Sequence, residues 1–203
     1  PRKAIEFYEQ ALKIAQEIGD RRGEGTDLGN MGIAYSDLGE LRKAIEFYEQ
    51  ALKIAQEIGD RLAEGNHLGN LGNAYSDLGE PRKAIEFYEQ ALKIAQEISD
   101  RMGEGNRLGN LGLAYSELGE THNAIEFYQQ ALIISREICD RRGEGNQLGN
   151  LGNAYSHLGE PRKAIEFHEQ SLAIAKGIFD RQSESEILCN LGKAYLDIRE
   201  TDR

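Results

Sequence analysis

Glycine-rich stretches are the first candidates for chemistry in this 203-residue chain, because such loops can hold phosphate groups. Gly103, Gly105 and Gly109 do not have the G-x-G-x-x-G spacing, and no strand is predicted before them. Gly192-Lys193-Ala194 likewise lacks the rest of a P-loop. We therefore predict no nucleotide or other cofactor site.

Histidine, serine and aspartate are the other residues that could act in catalysis. The four histidines, His67, His122, His157 and His168, form no H-x-x-x-H pair, so no metal site is predicted. No motif places a serine or cysteine nucleophile beside a base. We therefore expect no catalytic residues and predict that the chain is not an enzyme.

Asparagine recurs at intervals of 40 residues in two series. A carboxamide both donates and accepts, so a ladder of them can bond to successive peptide groups of a bound chain. Alternatively, these side chains bond to neighbouring helices and set the pitch of the fold, and both interpretations stay open. The first series is Asn30, Asn70, Asn110, Asn150 and Asn190, and the second is Asn66, Asn106 and Asn146, with Thr26 and Glu186 at its ends.

The same interval governs the whole chain. Residues 60–99 nearly reproduce residues 20–59, and the segment recurs from Asp100, from Asp140 and in shortened form from Asp180. A period of this length is typical of stacked helical repeats. We predict a single solenoid and expect it to be a fragment of a longer protein. Its parts are a lone helix in 1–19, full repeats in 20–59, 60–99, 100–139 and 140–179, and a truncated repeat in 180–203.

Each repeat is predicted to contain two helices. In helix A, over residues 61–78, apolar residues such as Leu68, Leu71 and Tyr75 recur at spacings of three and four, and Gly79 suits a C-terminal cap. Helix B starts at Pro81 and runs to residue 99, after which an aspartate caps the next helix A. Helix A also contains glycines, which we expect to permit close approach of another backbone. The predicted order is B, four AB pairs and a final A, ten helices in all.

The stretch Asn70-Leu-Gly-Asn-Ala-Tyr-Ser-Asp-Leu-Gly79, followed by Ala84, Tyr88 and Ala91, resembles the tetratricopeptide repeat (TPR) across essentially the whole chain. The usual 34-residue unit ends helix B with a proline, but here that position is not proline and six further residues follow. This lengthened form is similar to repeats of Pins/LGN-type adaptors, kinesin light chains and sensor arms of bacterial signalling proteins. The resemblance implies an all-α, right-handed superhelix whose concave groove, lined by A helices, binds a peptide. His168 replaces a tyrosine of the other repeats and is predicted to be a packed core histidine.

The side of helix A opposite the apolar stripe is predicted to line this groove. It carries both asparagine series and several positions that vary between repeats, which we interpret as determinants of specificity. The varying positions predict a groove that is cationic at both ends and apolar in the middle, suited to a peptide with acidic residues around an apolar centre. The predicted groove residues outside the two series are Arg22, Leu62, Asn73, Met102, Leu113, Arg142, Asn153 and Lys193.

Composition restricts the partners and the compartment. The formal charge of −11 repels phosphate backbones and anionic membrane surfaces, so neither nucleic acid nor membrane is an expected partner. Cys139 and Cys189 stand at non-equivalent positions and are predicted to be unpaired, partly buried thiols, as in a reducing compartment. No apolar run approaches the roughly 20 residues that span a bilayer. We therefore expect a cytoplasmic protein.

The predicted function is a non-catalytic scaffold that binds a peptide segment of a protein partner. One alternative is head-to-tail self-assembly through exposed apolar ends, since a contact that does not close generates a filament. The other is a sensor or regulatory arm of a larger signalling enzyme. The residues expected to be exposed for end-to-end stacking are Ile5, Tyr8, Leu12 and Ala15 in the first helix and Leu188, Leu191, Tyr195 and Ile198 in the last.

Overall fold

The computed structural model describes the backbone of residues 1–201 and the side chains through residue 198. Within this part of the chain there are ten α-helices and no strand, which confirms the all-α prediction and the order of B and A helices. The helices are α1 Arg2–Ile18, α2 Arg21–Asp37, α3 Leu41–Ile58, α4 Arg61–Asp77, α5 Pro81–Glu97, α6 Arg101–Glu117, α7 Thr121–Glu137, α8 Arg141–His157, α9 Pro161–Gly177 and α10 Arg181–Thr201. The even-numbered helices are A helices.

Aspartate caps start the A helices, as the sequence predicts. The Asp20 Oδ1 atom accepts from the Gly23 N–H at 2.9 Å, and Asp60 accepts from the Ala63 N–H at 3.1 Å. Asp140 and Asp180 accept in the same way from the residue three positions further on. Each bond satisfies one N–H group that the first helical turn leaves without a partner.

Residues with positive φ end many of the helices. After α4, Gly79 has a φ of 73° and the Glu80 N–H donates to the Tyr75 carbonyl at 2.9 Å, which is the expected glycine cap. Three of the B helices instead end at a residue with a side chain. Ser99, Cys139 and Phe179 have φ between 58° and 60°, a conformation that glycine adopts at lower energy.

Glycines of the A helices make room for side chains of the B helices. A Cβ atom on Gly72 would lie 2.4 Å from Cε1 of Tyr88, and one on Gly65 would lie 3.1 Å from Cγ2 of Ile94. At Gly65 and Gly72 the expectation of a close backbone is therefore wrong, because the groups that approach are an isoleucine methyl and a tyrosine ring. The same Gly–Tyr contact occurs at Gly32 and at Gly112.

The chain divides into two compact units, residues 1–100 (unit 1) and residues 101 onward (unit 2). In unit 1, buried apolar residues of A helices, such as Leu71, pack with those of B helices, such as Tyr48. In unit 2, Leu148 and Leu151 pack in the same way with Tyr128 and Ile174. Each unit therefore has its own core, built from alternating A and B helices.

Candidate functional site

Unit 1 contains a cleft of about 370 Å³, here called cleft 1, between α2, α3 and α4. Polar side chains come from the two A helices, whereas the B helix α3 contributes apolar residues. Its lining includes Arg22, Thr26, Asn30 and Ile33 from α2, Ala51, Ile54 and Ile58 from α3, and Asn66, His67 and Asn70 from α4.

Unit 2 contains two clefts of similar composition. Cleft 2, of about 300 Å³, lies between α6 and α8 and is lined by Asn106, Gly109, Asn110, Leu113, Arg142, Asn146, Gln147 and Asn150. Cleft 3, of about 290 Å³, is bounded mainly by α8, α9 and α10 and is lined by Arg142, Asn146, Asn150, Asn153, His168, Ser171, Ile174, Asp180, Glu186, Ile187 and Asn190, among others.

Nine of the ten predicted groove asparagines line these clefts. The exception is Asn73, whose Oδ1 atom accepts from the Tyr88 hydroxyl at 2.9 Å within its own repeat. In cleft 3, Asn190 donates to Asn153 at 3.1 Å, which joins α10 to α8. These three side chains therefore have structural bonds, as the alternative interpretation requires.

Six other asparagines of the clefts have no such bond to the described residues. Among the side chains that the structure describes, no protein group bonds to the carboxamides of Asn30, Asn66, Asn70, Asn106, Asn146 or Asn150. Asn66 and Asn146 are exposed, and Asn70 and Asn150 are half-buried. These groups can therefore exchange bonds to water for bonds to a ligand.

The predicted specificity residues are only partly gathered into the clefts. Arg22 and Arg142 line them, but each is ion-paired, with Asp60 at 2.9 Å and with Asp180 at 3.8 Å respectively. A ligand carboxylate would therefore compete with a carboxylate of the chain for each guanidinium group. Leu113 lines both clefts of unit 2. The remaining three, Leu62, Met102 and Lys193, are exposed outside the lining of any of the three clefts.

Sequence reasoning missed the contribution of the B helices and of two histidines. Ile54 and Ile174 form apolar walls of clefts 1 and 3. Both stand at the same position of the repeat, and this recurrence of isoleucine on the B helices was the signal that could have indicated an apolar wall. His67 lines cleft 1, where burial lowers its pKa, with Asp60 acting in the opposite direction. His168 is only 1% exposed, as predicted, and burial lowers its pKa. It also lines cleft 3, which the sequence did not predict.

The first helix does not expose the residues expected for end-to-end stacking. Ile5 is buried against Met31 and Ala34 of α2, and Tyr8 and Leu12 pack partly into the same cluster. This apolar stripe of α1 packs against α2, the A helix that follows it. The residues that α1 leaves open are instead Phe7, Ile14 and Ile18, and Ile14 is 57% exposed whereas the equivalent Ile54 is 5% exposed.

The last helix matches its expectation only in part. Leu191 is buried and Ile198 packs against the same cluster, because both face α9. Leu188 and Tyr195 are exposed as expected, and Leu188 is 49% exposed whereas the equivalent Leu148 is 1% exposed.

Three further features of the described residues are the state of the cysteines, the grouping of possible metal ligands and the apolar character of the helices. Both cysteines are unpaired and exposed, so the expected partial burial is wrong. No group of three or more His, Cys, Asp or Glu side chains is placed to hold a metal ion within the described part of the chain. None of its helices combines the length and the apolar character that crossing a membrane requires.

The tetratricopeptide repeat family model matches residues 1–57, 43–97, 63–137, 104–177 and 148–203. These matches together cover the chain from end to end. The chain therefore belongs to the tetratricopeptide repeat family, which confirms the resemblance read from the sequence.

Solved structures with the same fold come from several kinds of protein. BtubC (BKLC) from P. vanneervenii has a TM-score of 0.85 and 24% identity, and the match covers 97% of this chain and 84% of that one. The nearly identical TPR-like repeats assigned to a kinesin light chain of Podosopora anserina have a TM-score of 0.72 and 21% identity, with coverage of 86% and 87%. A signal transduction ATPase with numerous domains (STAND) from Pyrococcus horikoshii, which has a TPR sensor, has a TM-score of 0.82 and 22% identity.

The match to the STAND ATPase covers 93% of this chain and 30% of the ATPase. At these identities the likeness shows the fold alone. No curated protein matches the chain in sequence.

Proposed function

We propose that this chain is a non-catalytic scaffold that binds a segment of a partner protein in the clefts lined by its A helices. The family supports a role in protein–protein interaction. The observation that carries the proposal is the set of cleft carboxamides that have no partner among the described side chains, such as Asn66 with Asn70 and Asn146 with Asn150.

The asparagines would bind the backbone of the partner segment. A carboxamide can accept from a peptide N–H and donate to a peptide C=O, so the contact does not depend on the side chains of the segment. Each bond contributes about 0.5–1.5 kcal/mol net, so several are needed for useful affinity. Asn30 and Asn150 stand at equivalent repeat positions and occupy corresponding places in clefts 1 and 3, each on the first A helix of its cleft, which suits this kind of distributed binding.

The apolar walls would take side chains of the segment. Ile54 and Ile58 in cleft 1, and Ile174 with Leu113 in cleft 3, provide apolar surface beside the carboxamides. Burying apolar area there contributes about 25 cal/mol per Å² before the entropy lost on binding is subtracted. Arg22 and Arg142 would favour acidic side chains only where these displace Asp60 and Asp180 from the guanidinium groups.

Selection from a random peptide library, followed by alanine substitution of the unpartnered asparagines, tests the proposal. For a peptide selected on the wild-type chain, either N66A/N70A or N146A/N150A is expected to weaken affinity about tenfold or more, because two backbone bonds are lost. Thermal melting should stay nearly unchanged, since no group in the described part of the chain bonds to these carboxamides.

The matched control is N123A, which removes an exposed carboxamide of the B helix α7 that bonds to Glu120 outside the clefts. Its affinity for the peptide should equal that of the wild type. If no peptide is selected, or if both double variants bind as tightly as N123A, the proposal is wrong.

A further inference from the structure

Cleft 3 contains a buried polar side chain that lacks a hydrogen-bond partner. His168 on α9 is 1% exposed, and neither its Nδ1 nor its Nε2 atom has a partner among the described residues. A buried polar group that makes no hydrogen bond destabilises the fold, because it has lost its bonds to water without replacement. Because this ring lines an open cleft, a ligand in the cleft can supply the bond.

The equivalent residues show what His168 lacks. Tyr88 donates its hydroxyl to Asn73, and the Tyr128 hydroxyl shares a hydrogen bond with Ser116. The His168 ring packs against the A helix α8 as the Tyr88 ring packs against α4, since a Cβ on Gly152 would lie 2.6 Å from the His168 Cε1 atom. The imidazole ring, however, has no hydroxyl group that could bond to the A helix as the tyrosine hydroxyl does. Asn153, the counterpart of Asn73, bonds to Asn190 instead.

A second change in the same repeat adds to the polarity of cleft 3. Ser171, which is 2% exposed, stands where the other full repeats have Ala51, Ala91 and Ala131. Its Oγ donates to the Gly145 carbonyl at 2.8 Å. Two buried positions of α9 that are aromatic or aliphatic elsewhere are therefore polar here, and both line cleft 3.

The lining of cleft 3 favours a neutral ligand group that both donates and accepts. Burial lowers the pKa of His168, so the ring is neutral near pH 7 and offers one donor and one acceptor. Asn150 also offers both. A carboxylate would be repelled by Asp180 and Glu186, which line the same cleft, and the Arg142 guanidinium in this lining is already paired with Asp180 at 3.8 Å. An ammonium group could only donate. A primary carboxamide meets these requirements.

We propose that cleft 3 is a side-chain subsite in which His168 binds the carboxamide of an asparagine or glutamine of the partner segment. The inference rests on the proposed function, because the carboxamide arrives as part of a peptide held by the groove. The volume of about 290 Å³ is several times the roughly 30 Å³ that one water occupies in the liquid, so a side chain can enter.

Two selections from one random peptide library, on the wild type and on H168Y, test the subsite. The wild-type selection is expected to enrich asparagine or glutamine at one peptide position, and H168Y is expected to lose this preference because tyrosine restores the filled packing of the other repeats. Replacing that residue by glutamate or lysine should weaken binding about tenfold on the wild type and much less on H168Y. H122Y, at an exposed histidine of α7, should behave as the wild type.

Failure of the subsite and failure of the proposed function give different results. Peptides selected without an amide preference, or an amide preference unchanged in H168Y, overturn the subsite and leave the scaffold function standing. Failure to select any peptide overturns the scaffold function. If H168Y does not fold, H168F serves in its place.

A titration of the wild-type chain with propionamide tests the cleft without a peptide. The imidazole nitrogen signals of His168 are expected to shift saturably in NMR spectra with propionamide, and not with propionate or propylammonium. Equal responses to the three compounds, or none to propionamide, contradict the subsite.

Discussion

At the scale of single residues, the asparagine series show how far sequence reasoning could go. The 40-residue interval put Asn66, Asn70, Asn146 and Asn150 on one predicted groove face, and the structure places them in the linings of clefts, whereas their role in peptide binding stays a prediction. It could not predict that Asn73 would bond to Tyr88, because that bond depends on the contact between an A helix and a B helix. Whether an asparagine bonds within the fold or stays available to a ligand therefore depends on the side chains that surround it in the structure.

The buried histidines predict how stability depends on pH. Burial lowers the pKa of His168 and of His67, so below about pH 6.5 the unfolded chain binds protons that the folded chain does not. The stability gained by burying these histidines in the neutral form is fully present above that pH. It is lost as the pH falls toward the lowered pKa values of the folded chain. We expect the midpoint of thermal unfolding to fall on acidification, and H168Y to reduce the fall.

Melting curves of the wild type, H168Y and H122Y over a series of pH values measure this effect. His122 is exposed, so H122Y should follow the wild-type pH dependence. Identical pH dependence of H168Y and the wild type would show that His168 is not held in the neutral form by the fold.

At the scale of helices, the contact between A and B helices depends on glycine. We expect G72A to destabilise the fold by about 1–3 kcal/mol, because its Cβ would lie 2.4 Å from the Tyr88 ring in a packed core. G192A is the matched control, since Gly192 occupies the equivalent position in α10 and nothing lies within 4 Å of its added Cβ. Alanine there should be neutral or stabilise by up to about 1 kcal/mol through helix propensity. Chemical denaturation of both variants measures the difference, and equal effects would contradict the packing described here.

Helix positions were largely predictable, whereas the details of their contacts were not. Apolar spacing, aspartate caps and Gly79 correctly indicated where α4 begins and ends. The positive φ of Ser99 and Cys139 was missed because their residue types disfavour it, although they stand at the repeat positions of Gly19 and Gly59, which have φ of 72° and 69°. The apolar walls from the B helices were also missed, because the stripe of a B helix was assigned to the core alone.

At the scale of the whole molecule, two compact units each present at least one cleft of the same construction. The single solenoid over 1–203 stays a prediction, as do head-to-tail self-association and a role as the sensor arm of a larger enzyme. For self-association, the exposed faces of Ile14 on α1 and Leu188 on α10 replace the set of residues that the sequence suggested.

The most direct test of the scaffold function is an NMR map of the wild-type chain with a selected peptide. We predict that side-chain amide signals of Asn66 and Asn70, or of Asn146 and Asn150, shift saturably and give intermolecular contacts to the peptide backbone. Shifts confined to the exposed outer face of a B helix, such as Glu89, Lys93 and Glu97 of α5, would contradict binding in the A-helix clefts.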